Sequence, residues 1–255
     1  MDIKKLFAGK QNILYQQVNA GNSLLVKETE HYRWFEYGGH SIQSLMDKRS
    51  PEKLLMPVAQ SFLFFLLLNQ QPLKLLNLGL GGASLERSLA SIGNLSLTAV
   101  EASRPIIDIA KRYFNLPKKV QVTCQKAEAF IKQSAATFDV ILCDLFVGET
   151  SPDFLFTSGF YAQLKNISAY NTVLMINIRA TSNKQLLTLL LKIKKYFPYL
   201  AVIEFDDFAN IVIVCSLHAI PSRDILQQRF VNCPQLVSTD LDNVINNFCY
   251  IPVSH

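Results

Sequence analysis

The segment Leu75-Leu76-Asn77-Leu78-Gly79-Leu80-Gly81-Gly82-Ala83-Ser84 is an apolar run that breaks into glycine at three of four successive positions. A strand that turns sharply into a helix needs residues without a Cβ, so that the backbone can approach a ligand and the helix N-terminus can face it. Glu101 ends the next apolar run, about twenty residues past the turn, where a carboxylate can accept both hydroxyls of a ribose. Each half alone is weak, since a glycine turn can serve packing only and an acid at a strand end can simply be solvated. Together they mark a candidate nucleotide-binding α/β chain.

The rest of the sequence alternates in the way such a fold requires. Apolar runs at residues 73–78, 96–101, 120–124, 139–144 and 172–178 read as strands, separated by helical patterns, which is the signature of βαβ units. Ser103 is placed to cap a helix running to Phe114. Asn183 opens another through Tyr196, with Leu186, Leu187, Leu190, Ile193 and Phe197 as its apolar stripe. Before Ser50, short β-like pieces at residues 13–18, 23–26 and 32–37 are separated by Asn19-Ala20-Gly21-Asn22 and followed by Gly38-Gly39. The expected organisation is therefore an N-terminal β unit, residues 1–50, and a Rossmann-like domain, residues 51–255, opened by a helix from Pro51-Glu52 towards Leu68.

The end of the alternation separates two kinds of nucleotide fold. Runs at residues 200–205 and 211–215 are joined only by Asp206-Asp207-Phe208-Ala209-Asn210, too short a link for a parallel crossover. An antiparallel hairpin must close the sheet, as in S-adenosylmethionine-type folds. Ser84 agrees, because a dinucleotide fingerprint wants glycine or alanine there. Two helices, at residues 222–230 and 241–248, follow without an evident role.

With 49% apolar residues in 255, the chain can bury a core without staples. Among the five cysteines, Cys124, Cys143 and Cys215 lie in apolar runs with no CxxC pair and no histidine beside them, so buried, reduced thiols in a cytoplasmic protein are expected, and no metal. None of His31, His40, His218 and His255 has a partner at ligand spacing. The net charge of +5 is scattered, with Lys118-Lys119 and Lys192, Lys194 and Lys195 beside turns or on polar faces, so no nucleic-acid partner is expected. The apolar run 54–68 is too short for a bilayer and carries Pro57 and Gln60, and the N-terminus has no signal-peptide pattern; no membrane association is expected.

Asp144 ends the apolar strand 138–144 at the carboxyl edge where open α/β sheets hold ligands, before the loop Gly148-Glu149-Thr150-Ser151-Pro152. An acid there can move a proton or hold a cation, or merely cap the loop.

In order along the chain, these motifs resemble the spermidine synthase family, the polyamine aminopropyltransferases, and especially its abbreviated bacterial branch. The similarity spans residues 34–215. It runs through Ile42-Gln43-Ser44-Leu45-Met46-Asp47, the turn Leu78-Gly79-Leu80-Gly81-Gly82, Thr98-Ala99-Val100-Glu101, Lys126-Ala127-Glu128-Ala129-Phe130, the strand ending in Asp144, and Phe160-Tyr161. The resemblance implies a transferase that moves the aminopropyl group of decarboxylated S-adenosylmethionine to a small-molecule amine acceptor, with a homodimer as a frequent assembly of related enzymes. It assigns Gln43, Gly79, Leu80, Gly81, Gly82, Glu101, Lys126 and Ala127 to the cofactor pocket and Asp144 to proton transfer or amine holding.

Three positions depart from the family pattern. Gly82 stands where family members carry an amine-gripping aspartate, Val58 near their amine-side tyrosine, and Lys126 where an aspartate meets the adenine amino group; lysine only donates. A carboxylate at 82 would repel the carboxylate of intact S-adenosylmethionine by on the order of 4 kcal/mol at about 4 Å and an effective dielectric near 20. Glycine removes that discrimination. A methyltransferase using S-adenosylmethionine, or a non-catalytic nucleoside-binding protein, is the alternative on the same scaffold.

Overall fold

The computed structural model describes residues 9–19, 22–38, 41–68, 73–146, 148, 150–236 and 239–252. Ala20, Gly21, Gly39, His40, Glu149 and His255 lie outside the described residues.

The first four strands are β1 (Asn12–Asn19), β2 (Asn22–Glu28), β3 (Tyr32–Tyr37) and β4 (Ser41–Asp47), an antiparallel sheet in sequential order. The expected pieces at residues 13–18, 23–26 and 32–37 are β1 to β3. β4 contains the Gln43 motif and adds the fourth strand that the alternation did not mark. Val26, Phe35 and Met46 point to one face and pack against Ile109 and Phe114. Arg33 donates to the carbonyl of Tyr113 at 2.6 Å, placing a cation at the carboxyl end of the helix that carries Ile109.

The second sheet contains β5 (Leu73–Leu78), β6 (Leu95–Glu101), β7 (Gln121–Cys124), β8 (Phe138–Cys143), β9 (Ser168–Ile178), β10 (Tyr199–Phe205), β11 (Phe208–Ser216) and β12 (Cys249–Ile251). Their order is β12-β10-β11-β9-β8-β5-β6-β7. β9-β8-β5-β6-β7 are parallel, while β11 and β10 form the expected hairpin and pair antiparallel. β12 adds an edge strand to β10 that the sequence pattern did not mark.

Helices follow the strands: α1 (Pro57–Ser61), α2 (Phe65–Leu68), α3 (Ser84–Leu89), α4 (Arg104–Tyr113), α5 (Ala127–Gln133), α6 (Ser158–Asn166), α7 (Asn183–Lys194), α8 (Arg223–Val231) and α9 (Leu241–Asn246). Ser103 caps α4 as expected, its hydroxyl accepting from the N–H of Ile106. Residues of alternating parity along the central strands bury opposite faces. Leu75, Leu142 and Met175 belong to one core with α1 and α2, whereas Leu76, Ile141 and Leu174 face α6 and α7.

Two expectations are corrected. The helix before β5 begins at Pro57, not at Pro51-Glu52, and a 3₁₀ turn, Phe62–Phe64, splits it. Met56 is extended, at φ −86° and ψ 128°, because the proline ring disfavours helical backbone at the preceding residue, and the helix starts afresh with Pro57 in its first turn. Among the thiols, Cys143 and Cys215 are buried but Cys124 is exposed, since β7 is an edge strand.

The C-terminal helices acquire a structural role. Leu226, Leu241, Val244, Ile245 and Phe248 join the core that covers α1 and α2, and Phe248 stacks on Phe64 with ring centres 4.7 Å apart. Arg229 donates to the carbonyl of Leu67 at 2.7 Å, at the end of a short helix whose last carbonyls need donors. No helix among the described residues is long and apolar enough to cross a membrane.

Candidate functional site

Four parallel strands, β8, β5, β6 and β7, end side by side, and their ends are laced together by backbone. Gly79 N–H donates to Val100 at 2.9 Å, Asp144 N–H to Leu78 at 2.9 Å, and Gln125 N–H to Glu101 at 3.0 Å. The glycine turn, Glu101, Asp144 and the Gln125-Lys126-Ala127 segment therefore share the carboxyl edge of the sheet, as strand-end ligand sites require.

Gly79 adopts φ +100°, a conformation that L side chains rarely take. A Cβ there would also lie 2.2 Å from the carbonyl oxygen of Asp144. The glycine is thus needed twice, for the turn and for the close approach of β5 to the end of β8.

Glu101 is not a solvated acid. Its Oε1 accepts from Ser103 N–H at 2.8 Å and its Oε2 from Leu80 N–H at 3.3 Å, which binds the strand end to the glycine turn. Burial raises its pKa, opposed by the N–H groups of Ser103, Leu80, Gly81 and Ala102. Each oxygen keeps lone-pair capacity for a further donor.

The other expected pocket residues surround this pair. The Gln43 carbonyl oxygen would stand 3.9 Å from a Cβ on Gly81, so β4 passes over the turn. Leu80 and Gly82 are buried, as is Ala127 in the first turn of α5. Lys126 is exposed at the N-cap of α5 and makes no side-chain cap bond. Val58 is part of the apolar core, with its carbonyl accepting from the Ser61 hydroxyl at 2.7 Å.

Gly82 is enclosed on one side. A Cβ built on it would lie 2.3 Å from Ser44 Oγ and 3.4 Å from the Phe114 ring. Ser44 Oγ itself stands 2.9 Å from Ser84 Oγ, so hydroxyls from β4 and the start of α3 pair there. Beneath the turn, the buried Arg87 donates to the carbonyls of Gly82, Phe114 and Pro51, the last two at 2.7 Å. Burial pushes its guanidinium down to about 10, which leaves it cationic at neutral pH.

Asp144 is half-buried, and Asn177 Nδ2 donates to its Oδ1 at 2.8 Å. Burial raises the carboxyl pKa above the ordinary value, and the Asn177 bond opposes the rise. A raised carboxyl at a strand end beside a glycine turn is suited to accept a proton. Close by, Asn77 Nδ2 donates to Glu86 Oε1 at 2.6 Å and to the Gly79 carbonyl at 3.0 Å.

Ser44, Glu86, Arg87, Asn177 and Asn210 were not singled out from the sequence. A signal existed for three of these positions and for Asn77: Asn77 and Asn177 are amides set within the apolar stretches 75–78 and 173–178, and Glu86 and Arg87 interrupt the buried side of a short helix. No group of three or more His, Cys, Asp or Glu side chains among the described residues could hold a metal ion.

No family model matches the chain. A polyamine aminopropyltransferase of Vibrio vulnificus (strain CMCP6) is 28% identical over 238 residues, covering 87% of this chain and 77% of that protein. A polyamine aminopropyltransferase of Chromobacterium violaceum is 27% identical over 164 residues, and the match spans 63% of each chain. Among solved structures, a probable spermidine synthase from Corynebacterium glutamicum ATCC 13032 superposes with a TM-score of 0.77 at 16% identity, covering 95% of this chain and 91% of that one. The human methyltransferase-like protein 13, solved in complex with SAH, gives 0.62 at 20% identity over 69% of this chain and 90% of its own. Both structures speak to the fold.

Proposed function

We infer that this chain belongs to the spermidine synthase family and is an aminopropyltransferase, moving the aminopropyl group of decarboxylated S-adenosylmethionine to a small-molecule amine acceptor. The observation that carries the reading is the placement of two half-buried acids on either side of one glycine turn: Glu101 bonded to Leu80 N–H, and Asp144 with its backbone against Gly79. The homology to polyamine aminopropyltransferases supports the choice of reaction.

In this reading the nucleoside lies over the turn, with its ribose hydroxyls donating to Glu101 and its adenine end towards Lys126 and Ala127. Gln43, Leu80, Gly81 and Gly82 shape the pocket, with β4 as its cover. The N-terminal β unit, residues 1–50, serves the transferase domain, residues 51–255, in this way.

The acceptor's neutral nitrogen attacks the methylene carbon next to the sulfonium. A C–N bond forms as the C–S bond breaks, and the electron pair of that bond returns to sulfur, leaving a neutral thioether nucleoside. The nitrogen, now positive, gives its proton to Asp144. Aligning nitrogen, carbon and sulfur converts an encounter into a unimolecular step, which is the larger part of the rate advantage. The raised carboxyl supplies the remainder as base.

A second reading, transfer of a methyl group from intact S-adenosylmethionine, is favoured by the uncharged Gly82–Ser44 contact, where nothing repels a ligand carboxylate. Calorimetric titration of both cofactors, each with and without putrescine, separates the two, combined with detection of the product. Tighter binding of the decarboxylated form and a diamine-dependent product support aminopropyl transfer. Preference for the intact form, with no aminopropyl product, overturns it.

A further inference from the structure

The carboxyl edge of the sheet carries a line of side chains that continues from Asp144 across three strands. Asn177 Nδ2 donates to Asp144 Oδ1 at 2.8 Å, Asn210 Nδ2 to Asn177 Oδ1 at 2.9 Å, and Arg179 Nε to Asn210 Oδ1 at 3.3 Å. The sheet topology aligns these groups. β9 lies between β8 and β11, Ile176 pairs with Cys143, and Ile178 pairs with Ile211, so the next residues at this edge are Asp144, Asn177, Arg179 and Asn210.

The two ends force the direction of the line. A guanidinium only donates, and an ionised carboxylate only accepts. Each amide between them must then turn its oxygen towards Arg179 and its nitrogen towards Asp144, so neither orientation is free. Successive bonds pointing the same way polarise one another, from the cation to the acid. Asn177 is buried, so the central amide has no competing solvent.

We propose that Asn177, Asn210 and Arg179 are positioning residues that orient the Asp144 carboxylate and favour its ionised form. Asp144 then offers its Oδ2 to the ligand while its Oδ1 is fixed. The proposal deepens the transferase reading, since its functional meaning rests on Asp144 serving as base. The other titratable groups around Asp144 act separately. Glu86 on α3 and Cys143 beside it on β8 both interact with its charge. Arg179 is also held by its own N–H, which donates to Ser151 Oγ at 2.8 Å, so the end of the line is anchored to the loop after β8.

The test is carbon-13 NMR titration of the Asp144 carboxyl in protein labelled at aspartate Cγ, with the signal identified by its absence in Asp144→Asn. Loss of the far donor in Asn210→Ala should raise the Asp144 midpoint by about half a pH unit or more, and Asn177→Leu by about one unit. Arg179→Gln should raise it, while Arg179→Lys, still a donor-only cation, should restore most of the difference. In the transferase assay the acid limb of kcat/KM should move by the same amount, with KM for the nucleoside unchanged. If Asn177→Leu does not fold, the half-buried Asn210 and Arg179 variants still decide the matter. An unmoved Asp144 midpoint in a folded Asn210→Ala protein overturns the proposal. Absence of aminopropyl transfer by the unaltered protein overturns the functional reading instead, and the NMR titration still tests the relay.

Discussion

Ser44 Oγ occupies the space into which a side chain on Gly82 would grow, 2.3 Å from where its Cβ would begin. The glycine is therefore matched by a residue from another sheet, and the two positions act as one unit. The missing acid of the family pattern is not an empty slot awaiting restoration.

That contact predicts the behaviour of Gly82→Asp. Alone, the substitution overpacks against Ser44 Cβ and Oγ and should destabilise the protein by roughly 1–3 kcal/mol. Ser44→Gly should relieve most of the penalty, giving a non-additive double-mutant cycle in urea unfolding. Additive effects would show that the two residues do not share the space. In the relieved double variant, the added carboxylate should weaken binding of intact S-adenosylmethionine more than of its decarboxylated form.

Asp144→Asn should lower aminopropyl transfer by about 10²–10⁴-fold while leaving nucleoside affinity within a few-fold, because an amide cannot take the proton. For the unaltered protein, burial has raised the Asp144 carboxyl above its ordinary 3.8. Rate should therefore be lost as pH falls through that raised value. Retention of near-normal turnover by Asp144→Asn would remove Asp144 from the chemistry.

Glu101→Gln should weaken binding of either sulfonium nucleoside by about tenfold to a hundredfold, the worth of charge-assisted hydrogen bonds of roughly 1.5–3 kcal/mol. The amide also turns its NH₂ towards backbone donors that now face Glu101, so some loss of stability should accompany it. Isothermal titration reads the first effect and thermal unfolding the second. Unchanged affinity would leave Glu101 as a structural tie for the turn and nothing more.

Glu86 predicts a pH dependence of stability. It is fully buried, its Oε2 and the neighbouring Asn77 Oδ1 have no partner among the described residues, and burial pushes its carboxyl up to about 7. Between about 4.5 and 7 the folded protein holds a proton that the unfolded chain has released, so stability falls as pH rises through this window and levels off above it. The cost above pH 7 is on the order of 3 kcal/mol. Glu86→Gln should abolish that slope and stabilise the protein at pH 8, since the amide keeps an oxygen for Asn77 Nδ2 and carries no charge to bury. Parallel urea curves for the two proteins at pH 5 and pH 8, with equal differences, would refute this account.

Much of the scaffold was legible because βαβ alternation is a local pattern. Strand periodicity, the short link after residue 205 and Ser103 each act within a few residues; Ser103 and the antiparallel hairpin have the form expected, but the link is only Asp206-Asp207, because Phe208, Ala209 and Asn210 extend β11. The helix before β5 was misplaced because Pro51 and Pro57 look alike as helix starters, and only the extended Met56 distinguishes them. β12 is three residues long and pairs with a strand about fifty residues earlier, so it carries no period of its own. The role of α8 and α9 was hidden for a related reason: their apolar residues announce burial but not the partner, which is the α1–α2 segment.

The sequence by itself determined that a glycine turn and two strand-end acids would meet at one edge of a mainly parallel sheet, because strand polarity and the position of each acid on its strand force that outcome. It could not determine that Ser44 fills the space at Gly82, that Glu86 loses its solvent beside Asn77, or that Asn177 and Asn210 connect Arg179 to Asp144. These contacts join residues 9 to 40 positions apart, on different elements, and neither period nor spacing encodes them. They arise only when the register between neighbouring strands and the seating of one sheet over the other bring the side chains within hydrogen-bond distance.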